Sequence, residues 1–377
     1  MKRVGIMSMQ RIANYGSFLQ AYALKKLIEE LNCKVEFVDY HIGAPIITEN
    51  ADSKNKYIRK IEKGLEIFKY QVPFAHKLSF IRYKQSFAKK YMPFLGISDD
   101  MNYNPTLDCL VIGSDEVFNC IQKNSNVGYS LELFGKDNHA KKLLTYAASF
   151  GNTTMDKLKK YKKADEVGTL LKKFDAISVR DTNSKIIVEQ LTGKKTVYNL
   201  DPVLIYDYVN CCDKIPDFKT DEKYLILYAY AGRISNDEAN WISAYAKKKK
   251  LKVYAIGGVQ KCADRFVDCS PFEVLAYFKN AEEVITDTFH GTIFSVITHR
   301  QFTTLIRKSV GNSYGNEEKL SDLLKTLNLN TRMTTKIKDV ETINKNSINY
   351  LEVDSYLRKC REDAKQYLTL QIEGNEK

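Results

Sequence analysis

The sequence predicts an α/β protein of two doubly wound, Rossmann-like domains facing a cleft, with a helical insertion and a C-terminal helix. Two observations lead there. Short apolar runs alternate with stretches of helical periodicity, and the alternation comes as two series parted by a polar, proline-bearing segment. A length of 377 residues with 44% hydrophobic content lets each series bury a core of its own.

The first series opens with an apolar strand, Arg3 to Met9, then a polar turn and a helix from about Ser17 to Leu31, in which Leu24, Leu27, Ile28 and Leu31 recur at helical spacing. A strand from Lys34 to Tyr40 completes a βαβ unit, whose crossover returns the chain to the same end of the sheet and so predicts parallel pairing. Residues 53 to 91 are rich in Lys, Tyr and Phe without a strand pattern, and are expected to form an inserted helical pair covering part of the sheet. Strands resume at Cys109 to Ser114, Leu143 to Ser149 and Ala176 to Val179, with a helix from Met155 to Phe174 before the last.

Near Asn199-Leu200-Asp201-Pro202 the pattern changes, and the polar residues 213 to 222 carry another proline. The expected domains are therefore 1–200, with the insertion, and 201–346, followed by a C-terminal helix and tail at 347–377. Strands of the second series are expected at Tyr224 to Ala229, Lys252 to Gly257, Glu283 to Thr286 and Gln301 to Ile306, and the terminal helix at Ser347 to Leu370.

A formal charge of +12 attracts anions without choosing among phosphates, acidic glycans, lipid headgroups and nucleic acid. The lysine runs Lys157 to Lys163 and Lys247 to Lys250 fall on or at the ends of expected helices, where a solvated face or a dipole complement explains them, and no nucleic-acid fold signature is present. No nucleic-acid partner is expected. Eight cysteines without a C-x-x-C pair read as free thiols, and the adjacent Cys211 and Cys212 as a linker pair, so neither a disulfide framework nor a metal site is expected. No run approaches the roughly 18 to 20 apolar residues of a membrane span, and MKRVGIMSMQ lacks a signal peptide's apolar region. The expectation is a cytoplasmic protein whose basic surface suits the inner face of a membrane.

In an open α/β sheet the ligand sits outside the carboxyl ends of the strands, so the residues just beyond each apolar run carry the information. Four places stand out. Asn14, Tyr15, Gly16, Ser17 and Gln20 lie between the first strand and its helix, where backbone N–H groups can hold an anion or where a Ser-capped turn would look the same. Ser114, Asp115 and Glu116 end an apolar strand with two carboxylates, able to bind a sugar hydroxyl or accept its proton. Arg180 ends the Ser178-Val179 strand with a planar fork that suits a carboxylate or phosphate, unless it pairs with Asp181. Asp287, Thr288, His290, Gly291 and Thr292 end a strand and run into the apolar helix IFSVI, so an imidazole, hydroxyls and helix N-terminal N–H groups meet at one point.

Taken together, NYGSFLQAYAL, GSDEVFN, ISVRD, NLDPVLI, TDTFHGTIFSVI and the closing KLSDLLKTLNL resemble the polysaccharide pyruvyl transferase family over most of residues 1 to 329. The resemblance implies a GT-B-like fold, phosphoenolpyruvate as donor without a further cofactor, and a sugar or lipid-linked oligosaccharide as acceptor. It places His290 and Arg180 at the donor site. Relatives often carry an Arg two residues before the His, where this chain has Thr288; Arg307 or Lys308, past the next strand, are the expected replacements. In the mechanism so implied His290 is the general acid, Arg180 clamps the donor carboxylate, and Asp115 takes the hydroxyl proton, with Glu116 and Asp287 as alternatives. The rival expectations are a nucleotide-sugar glycosyltransferase, whose one hint is the pair Gly257-Gly258 after a strand, and a noncatalytic binder of acidic glycan or nucleic acid.

Overall fold

The computed structural model describes residues 1–47, 67, 69–218, 220–308 and 316–374. In chain order its main elements are β1 (Arg3–Met7), α1 (Tyr15–Glu29), β2 (Lys34–Phe37), α2 (Phe74–Tyr91), β3 (Cys109–Asp115), β4 (Lys142–Ala148), α3 (Met155–Lys160), α4 (Ala164–Leu171), β5 (Ser178–Val179), α5 (Thr182–Thr192) and β6 (Val197–Tyr198). They continue with β7 (Tyr224–Tyr228), α6 (Asn236–Lys249), β8 (Lys252–Ile256), β9 (Arg265–Phe266), α7 (Pro271–Asn280), β10 (Glu283–Thr286), α8 (Phe289–Ile297), β11 (Gln301–Leu305), α9 (Glu317–Thr326), β12 (Met333–Thr334) and α10 (Tyr350–Glu373). Two compact units result: residues 1–48, 89–207 and 351–377, and residues 49–88 and 208–350.

The first unit is built on a six-stranded parallel sheet in the order β2-β1-β3-β4-β5-β6. Its central strands are apolar along their length because helices cover both faces: Val4, Ile6, Val111, Ile112 and Leu144 are fully buried. The helix expected over Met155 to Phe174 forms as two, α3 and α4. Lys162 between them takes the left-handed conformation (φ 55°), and the resulting bend lets Leu158 join Val167 and Leu171 in one core cluster.

The second unit repeats the plan with the order β12-β11-β10-β7-β8-β9, again all parallel. Every residue of β7 is buried, and Ser235 and Ser270 start α6 and α7 with capping boxes closed by Glu238 and Glu273. The two-residue strands β6, β9 and β12 are too short to show any period, which is why the sequence does not reveal them.

In both sheets the chain winds first one way and then the other, which opens a crevice at the carboxyl ends of β1 and β3 in the first and of β7 and β10 in the second. The division of the chain differs from the expected one in three ways. Segment 201–207 stays with the first unit, because Asp201 pairs with Arg180 and the Tyr206 ring meets Tyr22 edge-on. The insertion groups with the second unit instead of covering the first sheet: Phe80 and Tyr83 of α2 pack edge-on against Phe266. Residues 53–66 and 68 of that insertion lie outside the described residues. Helix α10, finally, is an integral part of the first unit, burying Val353, Leu357, Ala364, Tyr367, Leu368 and Ile372. No helix among the described residues is long and apolar enough to cross a membrane.

Candidate active site

At the β1–β3 crevice of the first unit a polar network forms around two acids. Gly113 has φ 129°, and a Cβ there would lie 2.3 Å from the Tyr146 carbonyl oxygen, so the strand can turn into its loop only with glycine at this point. The next carboxylate, Asp115, has φ 87°, a conformation that costs a non-glycine residue about 1–3 kcal/mol and that surrounding bonds must hold. Those bonds are visible. Arg180 reaches Asp115 Oδ1 at 3.4 Å and Asp201 Oδ2 at 2.8 Å, and Ser17 Oγ donates to Asp115 Oδ2 at 3.3 Å. Gln20 Nε2 donates to Asp201 and, at 3.2 Å, to Ser114 Oγ, which donates onward to the Ala147 carbonyl at 3.0 Å.

Burial pushes the Arg180 guanidinium toward losing its proton, but the charges of Asp201, Asp115, Glu116 and Asp181 outweigh that and raise its pKa, so it stays charged. Asp181 is not its ion-pair partner at the surface: its carboxylate accepts from Ser184 N at 2.7 Å and caps α5. Asn14 likewise caps α1 by accepting from Ser17 N at 2.8 Å. Several residues read from sequence as ligand contacts are therefore interior. Tyr15 is fully buried, Gly16 is buried, and Gln20 and Ser114 sit within the network, so these four shape the crevice and do not line it. Glu116 turns toward Asn119 Nδ2 at 2.9 Å. Asp115, its side chain 15% exposed, is the acid of the network that reaches the surface, whereas Asp201 is enclosed.

At the β7–β10 crevice of the second unit, Thr288 begins α8 as its N-cap, accepting from Gly291 N at 2.9 Å. Gly291 is obligatory for packing: a Cβ there would lie 2.2 Å from Thr286 Oγ1 and 2.8 Å from the Tyr228 ring. Thr292 is buried, donating to the Thr288 carbonyl at 3.0 Å and facing Thr304 Oγ1 at 2.9 Å. His290 is partly exposed, with Phe289 and Phe294 flanking its ring.

Around this helix start lie charges that only the fold assembles. Asp287 has no exposed surface, and neither carboxylate oxygen accepts a hydrogen bond among the described residues. Its surroundings are two guanidinium groups, Arg307 Nε at 3.7 Å and Arg233 NH1 at 4.0 Å. Burial raises the Asp287 pKa above the usual carboxylate value and the two arginines only partly oppose it. Arg307 is itself gripped by Glu238, at 2.6 Å and 3.2 Å, so its fork is committed, while Lys308 is exposed. Burial pushes Glu238 up, but the Arg307 and Ser235 bonds prevail and hold it below its ordinary value. Asn316 ties the loops together, donating to the Asp287 carbonyl at 2.6 Å and accepting from Arg307 N at 2.6 Å.

Arg233, Glu238 and Asn316 escape the sequence reading, although Arg233 lies just beyond the carboxyl end of β7, where the strand-end rule points. The glycine pair after β8 has a structural reason: a Cβ on Gly258 would lie 2.5 Å from both Ala229 O and Ala231 N, so the pair serves close backbone packing.

These two units, with charged side chains gathered at the switch point of each sheet, define a two-domain Rossmann-like fold of the GT-B class. Solved structures agree. The chain superposes on the S. aureus MnaA–UDP co-structure with a TM-score of 0.51 at 10% identity, over 100% of this chain and 98% of the other. On the UDP-GlcNAc 2-epimerase from Neisseria meningitidis bound to UDP-GlcNAc it does so with a TM-score of 0.51 at 10% identity, over 100% of both. A looser match, with a TM-score of 0.42 at 12% identity, covers 99% of this chain and 66% of an O-GlcNAc transferase mutant from Thermobaculum terrenum. At such identities the first two likenesses speak for the fold alone, and the third carries no argument. No curated protein matches in sequence. The profile of the family described as polysaccharide pyruvyl transferase matches residues 14–309, and the chain belongs to that family.

Proposed function

We propose that this transferase moves the pyruvyl group of phosphoenolpyruvate onto two hydroxyls of a sugar, forming a pyruvate ketal on a surface polysaccharide or its lipid-linked precursor. The observation that carries this reading, beside family membership, is the second unit's crevice, where the half-buried His290 stands at a helix start with its Nε2 enclosed and guanidinium groups follow the flanking strands. An enol phosphate needs a proton on its methylene carbon, attack by a hydroxyl oxygen at the neighbouring carbon, and departure of phosphate as a second hydroxyl closes the ring. His290 is the proton donor in this scheme, a role worth about 10²–10⁴ in rate. Asp115 is the proposed acceptor of a hydroxyl proton, being the strained, partly exposed carboxylate of its network. Arg180, whose donors already serve Asp115 and Asp201, is assigned to holding Asp115 in place.

The test is phosphate release from phosphoenolpyruvate with galactose, glucose, mannose and N-acetylhexosamine acceptors. Acceptor-dependent release that falls about 10²-fold or more in His290→Ala is the expected result. No release with any acceptor, together with binding of a nucleotide sugar, would replace the reading with a glycosyltransferase.

A further inference from the structure

Arg180, Arg307 and Arg233 each stand beyond a strand end, and their commitments differ. Arg180 is buried between two carboxylates, and Arg307 is held by Glu238 through both terminal nitrogens. Arg233 is different. Among the described residues its guanidinium makes no hydrogen bond; it lies 4.7 Å from the Tyr230 ring centroid and 4.0 Å from Asp287, with 32% of its side chain exposed. A planar fork of five donors fixed by a ring stack and a distant carboxylate, with its donors unspent, is suited to receive oxyanions.

The segment that carries it is held in place. Gln260 Nε2 donates to the Ala229 and Tyr230 carbonyls at 3.0 Å and 3.2 Å, Gly258 lets the β8 loop pack directly on residues 229–231, and Gly232 turns the chain with φ 78°. Arg233 follows β7, whose neighbour in the sheet is β10, the strand that ends in Asp287 and leads to His290. It therefore occupies the switch point itself. Asp287 lies beneath the arrangement: a buried carboxylate with no hydrogen bond is costly unless cations face it, and here both arginines do.

We propose that Arg233 is the oxyanion-binding residue of the second unit, its guanidinium receiving the phosphate or carboxylate oxygens of the donor. This rests on the reading of that crevice as the donor site. The four charges Arg233, Arg307, Asp287 and Glu238 sum to zero, so the cluster selects its anion by the direction of the Arg233 donors and not by a strong field.

Calorimetric titration of the full-length protein with phosphoenolpyruvate, inorganic phosphate and pyruvate tests it, comparing wild type with Arg233→Met, Arg233→Lys and, as a control for lost charge, Arg265→Met. Phosphoenolpyruvate affinity is expected to fall about tenfold or more in Arg233→Met, by less in Arg233→Lys, and not at all in Arg265→Met. Whichever of phosphate and pyruvate weakens in parallel identifies the oxyanion held. Wild-type affinity in Arg233→Met would overturn the assignment. If circular dichroism shows that variant unfolded, Arg233→Lys decides: a weakening of about threefold or more supports the role, unchanged affinity refutes it. Should wild type ignore phosphoenolpyruvate and bind a nucleotide sugar, the donor reading falls, and the same comparison with that ligand still decides Arg233.

Discussion

Asp287 is fully buried, faces two arginines and accepts no hydrogen bond among the described residues, so its charge has a consequence for stability. Its pKa is raised on folding, chiefly by burial. Between the ordinary carboxylate value and that raised value the folded state binds more protons than the unfolded one, so stability falls as pH rises through the window and the penalty is complete above it. Asp287→Asn is expected to flatten this part of the pH–stability curve and to leave the protein at neutral pH as stable as wild type or about 1 kcal/mol more so, while lowering activity. Urea unfolding at several pH values checks it; a variant destabilised at neutral pH would show that the arginines outweigh burial. Asp287 and His290 were legible in the sequence, since a strand, a loop and an apolar helix occur there in succession. Arg233 and Glu238 were not, because their pairing with Asp287 and Arg307 joins residues more than forty positions apart.

Helix α8 shows how an element constrains the site it begins. Thr288 caps it from a buried position, and the same hydroxyl lies 3.1 Å from Thr286 Oγ1 at the end of β10. Thr288→Ala is expected to cost about 1 kcal/mol through loss of the cap, read as a lowered denaturation midpoint with unchanged m-value. An arginine at this position would forfeit that cap and have to be accommodated in a buried site. In the terminal turn of α6 two lysines of the run are paired within the unit: Lys249 with Glu283 at 2.9 Å and Lys248 with Glu341 at 2.7 Å. Strand ends were read closely at β3, β7, β8, β10 and β11 but overrun at β2, which stops at Phe37 and not Tyr40, and the bend at Lys162 left no period to detect.

On the scale of the whole molecule the chain order and the unit order diverge. The first unit is assembled from three separated segments, and its last one, α10, seals the sheet: Tyr367 is almost fully buried with its hydroxyl donating to the Thr145 carbonyl at 2.8 Å, and Lys142 Nζ bonds the Gln371 carbonyl at 2.8 Å. Tyr367→Ala is expected to cost about 3–5 kcal/mol, and Tyr367→Phe about 1 kcal/mol, measured by urea unfolding with hydrogen exchange at β4 as the local reporter. Near-wild-type protection of β4 in the alanine variant would deny α10 this role. Periodicity by itself determined the two α/β series, the parallel pairing and the strand ends where chemistry collects, because hydrophobic spacing and crossover connections are local properties of the chain. The tertiary structure alone decided that the insertion joins the second unit and the terminal helix the first, and which arginines are already committed. Burial and charge pairing depend on neighbours distant in sequence, and no local pattern encodes them.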